Sequence, residues 1–293
     1  MANLKEVRLR ITSVNSTQQI TKAMKMVSAA KLRRAQDAIT QMRPYASKLR
    51  EILENVAASV DTSGSGALAK ARPVNKVMIV AVTSNRGLAG AFNSNIIRTV
   101  NRLLNDTYAA QRAKGDAKVL CIGKKASDFF SKNAAVYAGQ RNDIFTNVSF
   151  APVSAVAQEL MDGFLAGQYD KVVVVYNRFK NAAVQNVEIE QLLPIAPPAA
   201  NNQSKASNDY IFEPSQSAIV LDLIPKAVKT QLYKAVLDSN ASEHGARMTA
   251  MSKATDNAGE LIKELKLQYN KARQAAITNE ILEIVAGAEA LNG

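Results

Sequence analysis

A heptad seam near the C-terminus constrains this chain most. Between Ser242 and Leu291 there is no proline and only three glycines, Gly245, Gly259 and Gly287. Most of the stretch is Ala, Leu, Met, Glu, Lys, Gln and Arg, which lose little side-chain entropy in a helix. Met248, Met251, Thr255, Ala258, Ile262, Leu265, Tyr269, Ala272 and Ala276 fall at alternating steps of three and four. That spacing lays one stripe along a helix and calls for a partner helix. Past Ala276 the seam positions fall on Asn279 and Glu283, while Ile277, Ile281, Ile284 and Ala288 continue the spacing on another face. One helix is expected to grip one partner for most of its length and something else at its tip.

A second seam opens the chain. Residues 3–60 read as one long helix, with Leu4, Val7, Ile11, Val14, Gln18, Thr21, Lys25, Ser28, Leu32, Ala35, Ile39, Met42, Ala46, Leu49, Leu53, Val56 and Val60 in register. Its middle, Gln18 to Ser28, is polar, and there the apolar Ile20, Met24 and Val27 lie on a neighbouring face. Either the packing face shifts locally or this zone touches a second partner. Pro44 is expected to kink the helix.

Between the seams the period changes. Residues 61–73 form a linker by composition, and Lys76–Val82 is a short buried strand. The loop Asn85-Arg86-Gly87-Leu88-Ala89-Gly90 follows, then a helix from about Asn93 to Gln111. Further strands are expected at Lys118–Ile122, Ala135–Tyr137, Lys171–Tyr176 and Val184–Leu193, with helices at Gly123–Lys132 and Pro152–Leu165. Apolar runs alternating with helices predict a mostly parallel sheet over 74–195. Residues 196–214 read as an exposed loop, and 215–293 as the C-terminal helix, with Pro225 ending a short helix or kinking it. The end helices can meet only if the chain returns on itself, so they are expected to pair antiparallel. At about 85 Å and about 95–100 Å they differ in length, and the C-terminal tip overhangs.

Charge and composition narrow the function classes. The net charge is +12, and residues 1–60 carry eleven Lys/Arg against four Asp/Glu. A basic helix of this kind predicts an anionic partner. It lacks the interleaved aromatics that stack bases, so no nucleic-acid partner is expected. Cys121 is the only cysteine, which excludes an internal disulfide, and its apolar setting predicts a buried structural thiol. His244 is the only histidine, so a zinc cluster is excluded and a Ser-His-Asp or Cys-His device is not expected. The Gly87–Gly90 loop sits where phosphate loops sit, but it lacks both the three-glycine fingerprint and the P-loop Lys-Ser/Thr. Neither cofactor nor catalytic residue is expected. No apolar run is long enough to span a bilayer. The opening residues carry helical periodicity and read as structure, not as a leader.

Four stretches resemble the gamma subunit family of F-type ATP synthases: Ile11–Gln36, Thr83–Asn93, Ala246–Ala258 and Ile277–Ala290. Asn85 stands where that family usually has Asp, and Ala89 where it often has Cys. The chloroplast forms' cysteine-bearing insert is absent, and the direct start favours a bacterial protein. The resemblance implies an α/β domain with a Rossmann-like sheet inserted between two helices that form a long antiparallel coiled coil. It implies a rotor shaft inside a ring of alpha and beta subunits, coupling proton flow to ATP synthesis or hydrolysis on the beta subunits. The chain itself would be a non-catalytic subunit that binds no nucleotide. Its partners would be the alpha and beta subunits, the epsilon subunit and the membrane c-ring, at the cytoplasmic face of a bacterial inner membrane. By the same resemblance Met24, Lys25, Arg247, Arg273, Gln274, Thr278 and Glu280 would contact the beta subunits, and Tyr210 would face the c-ring and epsilon. Two other classes stay open: a nucleotide-binding α/β enzyme with a coiled-coil arm, and a basic coiled-coil nucleic-acid protein.

Overall fold

The computed structural model describes residues 4–59, 68–70, 72–195 and 216–292. The expected linker lies largely outside them, and the 196–214 loop, with Tyr210, lies wholly outside. Two long helices, α1 (Leu4–Ser59) and α6 (Gln216–Asn292), flank a five-stranded, mostly parallel sheet. The chain divides into two compact units. One joins Met1–Ser28 to Arg247–Gly293, and the other is Ala29–Ala246.

In the second unit the strands are β1 (Val77–Val82), β2 (Ala117–Ile122), β3 (Tyr137–Gln140), β4 (Lys171–Phe179) and β5 (Gln185–Leu193), in spatial order β3-β2-β1-β4-β5. β1 pairs parallel with β2 and β4, and β2 parallel with β3. The three central strands are apolar runs covered on both faces, which is why their sequences do not alternate. β5 forms an edge and is mostly half-buried, with Asn186 and Ile189 exposed and Leu192 and Leu193 buried at its end. It runs antiparallel to β4, because Lys180–Val184 is too short for a crossover.

Side-chain alternation sends Val77, Ile79 and Ala81 to one face and Val80 and Val82 to the other. The first face packs Ile96 and Val100 of α2 (Phe92–Arg102) and Phe130 of α4 (Lys124–Phe130). The second packs Val153, Leu160 and Phe164 of α5 (Phe150–Leu165) beside Ile224, Val228, Leu232 and Val236 of α6. The base of the terminal helix is therefore part of the sheet's core.

Four elements differ from expectation. The helix expected over 93–111 is interrupted by a π turn at Leu103–Thr107, and α3 (Ala109–Lys114) continues it. Ile96, Val100, Leu104 and Tyr108 are all buried at intervals of four. A 3.6-residue helix would rotate such a row off the sheet. The wider turn, closed by Tyr108 N–H on Leu103 O at 2.8 Å, keeps it facing inward. β3 lies a few residues later than expected, and β4 runs on to Phe179 because β5 pairs along it. Helix α6 runs on through Pro225 and does not end there. The cost of the missing amide at Pro225, about 3 kcal/mol, is offset by burial of Ile224 and Val228 on either side.

Candidate functional site

The crevice where open α/β sheets bind ligands lies outside the carboxyl ends of β1 and β4, where the strand order reverses. Here it is occupied by the chain itself. Two residues beyond the Ala81–Val175 pair stand Thr83 and Asn177. Asn177 is buried and donates to Phe92 O at 3.2 Å, and Ser242 of α6 donates to Asn177 O at 2.9 Å. Gly245 then passes so close to the β4–β5 turn that an added Cβ would stand 3.3 Å from the Ala182 backbone.

The Asn85–Gly90 loop is likewise spent on the fold. Asn85 and the two residues before it satisfy the first amides of α4, the helix that follows β2. Lys124 N–H donates to Asn85 Oδ1 at 2.9 Å, Lys125 N–H to Ser84 O at 3.1 Å and Ala126 N–H to Thr83 Oγ1 at 3.0 Å. Gly123 makes the approach possible, since a Cβ there would lie 2.0 Å from Thr83 O and its φ is +105°. Cys121 is buried in the adjoining strand, and burial pushes its thiol up to about 12. Among the described residues no group of three or more His, Cys, Asp or Glu is arranged to hold a metal.

The surface that answers to the sequence motifs is the helix pair of the other unit. Arg8 meets Tyr269, Gln18 meets Thr255, and Lys25 meets Ser252. As one number rises the other falls, so the helices run antiparallel. Val7, Thr21 and Ser28 of α1 are buried, as are Met251, Ala258 and Leu265 of α6. The polar middle of the α1 seam stays turned inward and satisfies itself. Thr255 Oγ1 lies 2.9 Å from Thr21 Oγ1, Thr21 donates to Gln18 O at 3.0 Å, and Ser28 donates to Met24 O at 2.8 Å. Helix approach is close here, for a Cβ on Gly259 would stand 3.0 Å from Gln18 Nε2.

This corrects two expectations. The packing face does not shift onto Ile20 and Val27, which are 60% and 58% exposed. Lys25, given a seam position, is exposed and reaches across to Ser252 Oγ at 2.9 Å, while Met24 is half-buried in its place. An ammonium is the costlier of the two to desolvate.

The seam ends one step sooner than expected, at Ala272, opposite the first described residues of α1. Stepping four residues from the Arg8–Tyr269 contact puts Leu4 opposite Arg273. From Arg273 to Ala288 every residue of α6 is exposed. Arg273, Gln274, Thr278 and Glu280 thus stand on open helix, with Thr278 Oγ1 donating back to Gln274 O at 2.9 Å. Arg247 is buried. The apolar residues of this tip exceed those expected, since Leu282 and Val285 are exposed beside Ile277, Ile281 and Ile284. Leu9 and Met26 of α1 are likewise exposed and were not singled out by the seam, which marks only what faces the partner helix.

Comparison with known proteins covers nearly the whole chain. A family profile described as ATP synthase matches residues 3–291. The ATP synthase gamma chain of Flavobacterium johnsoniae is 60% identical over 293 residues, covering all of both chains. That of Chlorobaculum tepidum is 49% identical over 291 residues, 99% of each chain. Among solved structures, a chain of the central stalk and c-ring structure of Tetrahymena thermophila mitochondrial ATP synthase aligns at 27% identity and a TM-score of 0.60. It covers 80% of this chain and 99% of that one. A chain of the Euglena gracilis mitochondrial ATP synthase aligns at 22% identity and a TM-score of 0.67, covering 98% and 94%.

Proposed function

The chain belongs to the gamma-chain family of ATP synthases, and from that premise we propose that it is the rotating shaft that couples proton flow to ATP synthesis or hydrolysis. The observation that carries the reading is the run of α6 from Arg273 to Ala288, a helix that lies beyond the described residues of α1 and is exposed on every side. An unpartnered helix bearing Ile277, Ile281, Leu282, Ile284 and Val285 needs a surrounding surface. A ring of alpha and beta subunits supplies one.

In this reading ATP is made on the beta subunits and this chain is non-catalytic. Met24, Lys25, Arg273, Gln274, Thr278 and Glu280 are the proposed beta contacts; Arg247, buried within the chain itself, is left out of that set. Arg273 offers a planar fork to a carboxylate, and Gln274 both donates and accepts at a backbone loop. The half-buried Met24 and the exposed Ile20 and Val27 form a second, apolar contact zone on α1. The sheet-bearing unit is the proposed foot for the epsilon subunit and the c-ring, at the cytoplasmic face of the bacterial inner membrane. Among the described residues no helix is long and apolar enough to cross a membrane, which suits a peripheral place.

The test is co-expression with alpha and beta chains of the same complex, followed by purification on a tagged beta chain. A stable assembly containing this chain, active in ATP-driven proton pumping when joined to its membrane sector, is the expected result. Assembly and pumping that proceed without this chain would overturn it.

A further inference from the structure

In the sheet-bearing unit, four elements converge on one cluster of charges. Tyr176 of β4 is buried and donates to Glu190 Oε1 of β5 at 2.6 Å. The Gln231 amide of α6 reaches Glu190 Oε2 at 3.4 Å and Gln191 O at 3.1 Å. Lys234 Nζ, one turn on, lies 3.7 Å from Glu190 Oε1. Arg178 of β4 holds Glu188 of β5 at 3.0 Å. Asp238, a further turn along α6, is buried within the field of Lys234, Arg43 of α1, Arg178 and Glu190. Three cations thus stand among three carboxylates, drawn from both long helices and from the β4–β5 hairpin.

Such a cluster is poor value as plain stability. Its ion pairs are partly exposed, and pairs of that kind contribute little to stability. Beneath it, Val228, Leu232 and Val236 already hold α6 on the sheet. That apolar contact is non-directional. Hydrogen bonds to Glu190 and Gln191 are directional and fix the helix about its own axis.

We propose that the cluster of Tyr176, Glu190, Gln231, Lys234 and Asp238 is the junction through which torque passes between the α/β unit and α6, with Glu190 as its positioning residue. The proposal rests on the rotary reading above. Glu190 sits on an edge strand, so its carboxylate meets α6 from the side and resists rotation where the apolar layer does not. Tyr176 is wholly buried and gives the carboxylate a fixed anchor in the sheet. Lys234 and Gln231 take that anchor to two successive points on the helix.

The experiment uses the complete complex in membrane vesicles, comparing proton uptake per ATP hydrolysed for the unaltered chain, Glu190→Gln, Lys234→Met and the double variant. Glu190→Gln keeps shape and loses charge, and Lys234→Met leaves the Tyr176–Glu190 bond in place. Uptake per ATP should fall about threefold or more in each single variant, with hydrolysis reduced less than uptake. The double variant should be no worse than Glu190→Gln, because both remove one interaction. An unchanged ratio in assembled complexes, or uptake and hydrolysis falling in step, would overturn the proposal. If Glu190→Gln yields no complex, Lys234→Met decides by the same ratio, its partly exposed side chain making misfolding no explanation. Failure of the unaltered chain to join alpha and beta chains would instead sink the rotary reading itself.

Discussion

The Arg8 guanidinium donates to the Tyr269 hydroxyl at 2.6 Å, across 261 residues of sequence, with its central carbon 5.6 Å from the centre of the ring. This contact closes the paired part of the two helices. Four residues further on, α1 reaches Leu4, its first described residue, and α6 from Arg273 to Ala288 is exposed throughout.

The register it defines can be trapped covalently. Thr21 and Thr255 face each other with their hydroxyl oxygens 2.9 Å apart. Cysteines at both positions should form one crosslink within a single chain under mild oxidation, once Cys121 is replaced by Ala. Gel mobility under non-reducing conditions checks this. Dimers linked between chains, with no internal crosslink, would contradict the antiparallel pairing.

Arg273→Ala and Gln274→Ala should slow steady-state ATP hydrolysis per assembled complex. Both residues stand on exposed helix, so neither substitution removes a contact within the chain's own seam. Loss of a charged hydrogen bond to a beta subunit costs about 1.5–3 kcal/mol, roughly ten- to a hundredfold in a rate. Turnover is measured with subunit stoichiometry determined on the same sample. Equal turnover in both variants and the parent would place the contact elsewhere.

Asp238 gives the chain a pH signature. Burial pushes its carboxyl up to about 6, against opposition from Lys234, Arg43 and Arg178 and with help from Glu190. The folded chain therefore holds this proton more tightly than the unfolded chain, whose carboxyl titrates near the ordinary 3.8. The burden is full above pH 6, at most about 3 kcal/mol, and shrinks as pH falls from 6 towards 4. Asp238→Asn should raise the melting temperature at pH 8 and lose that advantage by pH 4. Thermal melts across this range check it, and a pH-independent difference would assign the effect to another group.

Cys121 should be inert in the native chain. It is fully buried, and with a thiol pushed up to about 12 it carries almost no thiolate at pH 8. Iodoacetamide should label it in denaturant and not in buffer, as mass spectrometry would show. Labelling of the folded chain at a rate typical of free thiols would mean that the core around β2 opens readily.

Periodicity made the helices legible. Seam residues such as Val7, Leu32, Met251 and Leu265 repeat at the spacing of a helix surface, and all four are buried. Strands β1, β2 and β4 were legible as apolar runs for the same local reason. The terminal motifs pointed to the family because they cover residues whose identity is not dictated by packing alone. What depended on distant partners was not legible. Lys25 and Met24 are neighbours in sequence, and only the α6 surface opposite them decides which turns inward. The π turn at Leu103–Thr107 answers to the sheet beneath it, not to its own residues. The cluster around Glu190 and Asp238 unites Arg43, Tyr176 and Lys234, residues separated by scores of positions. Local spacing records the face that an element buries, because neighbours on that face recur within a turn or a pleat. It cannot record which charge from another element will stand opposite, because only the closed fold brings the two together.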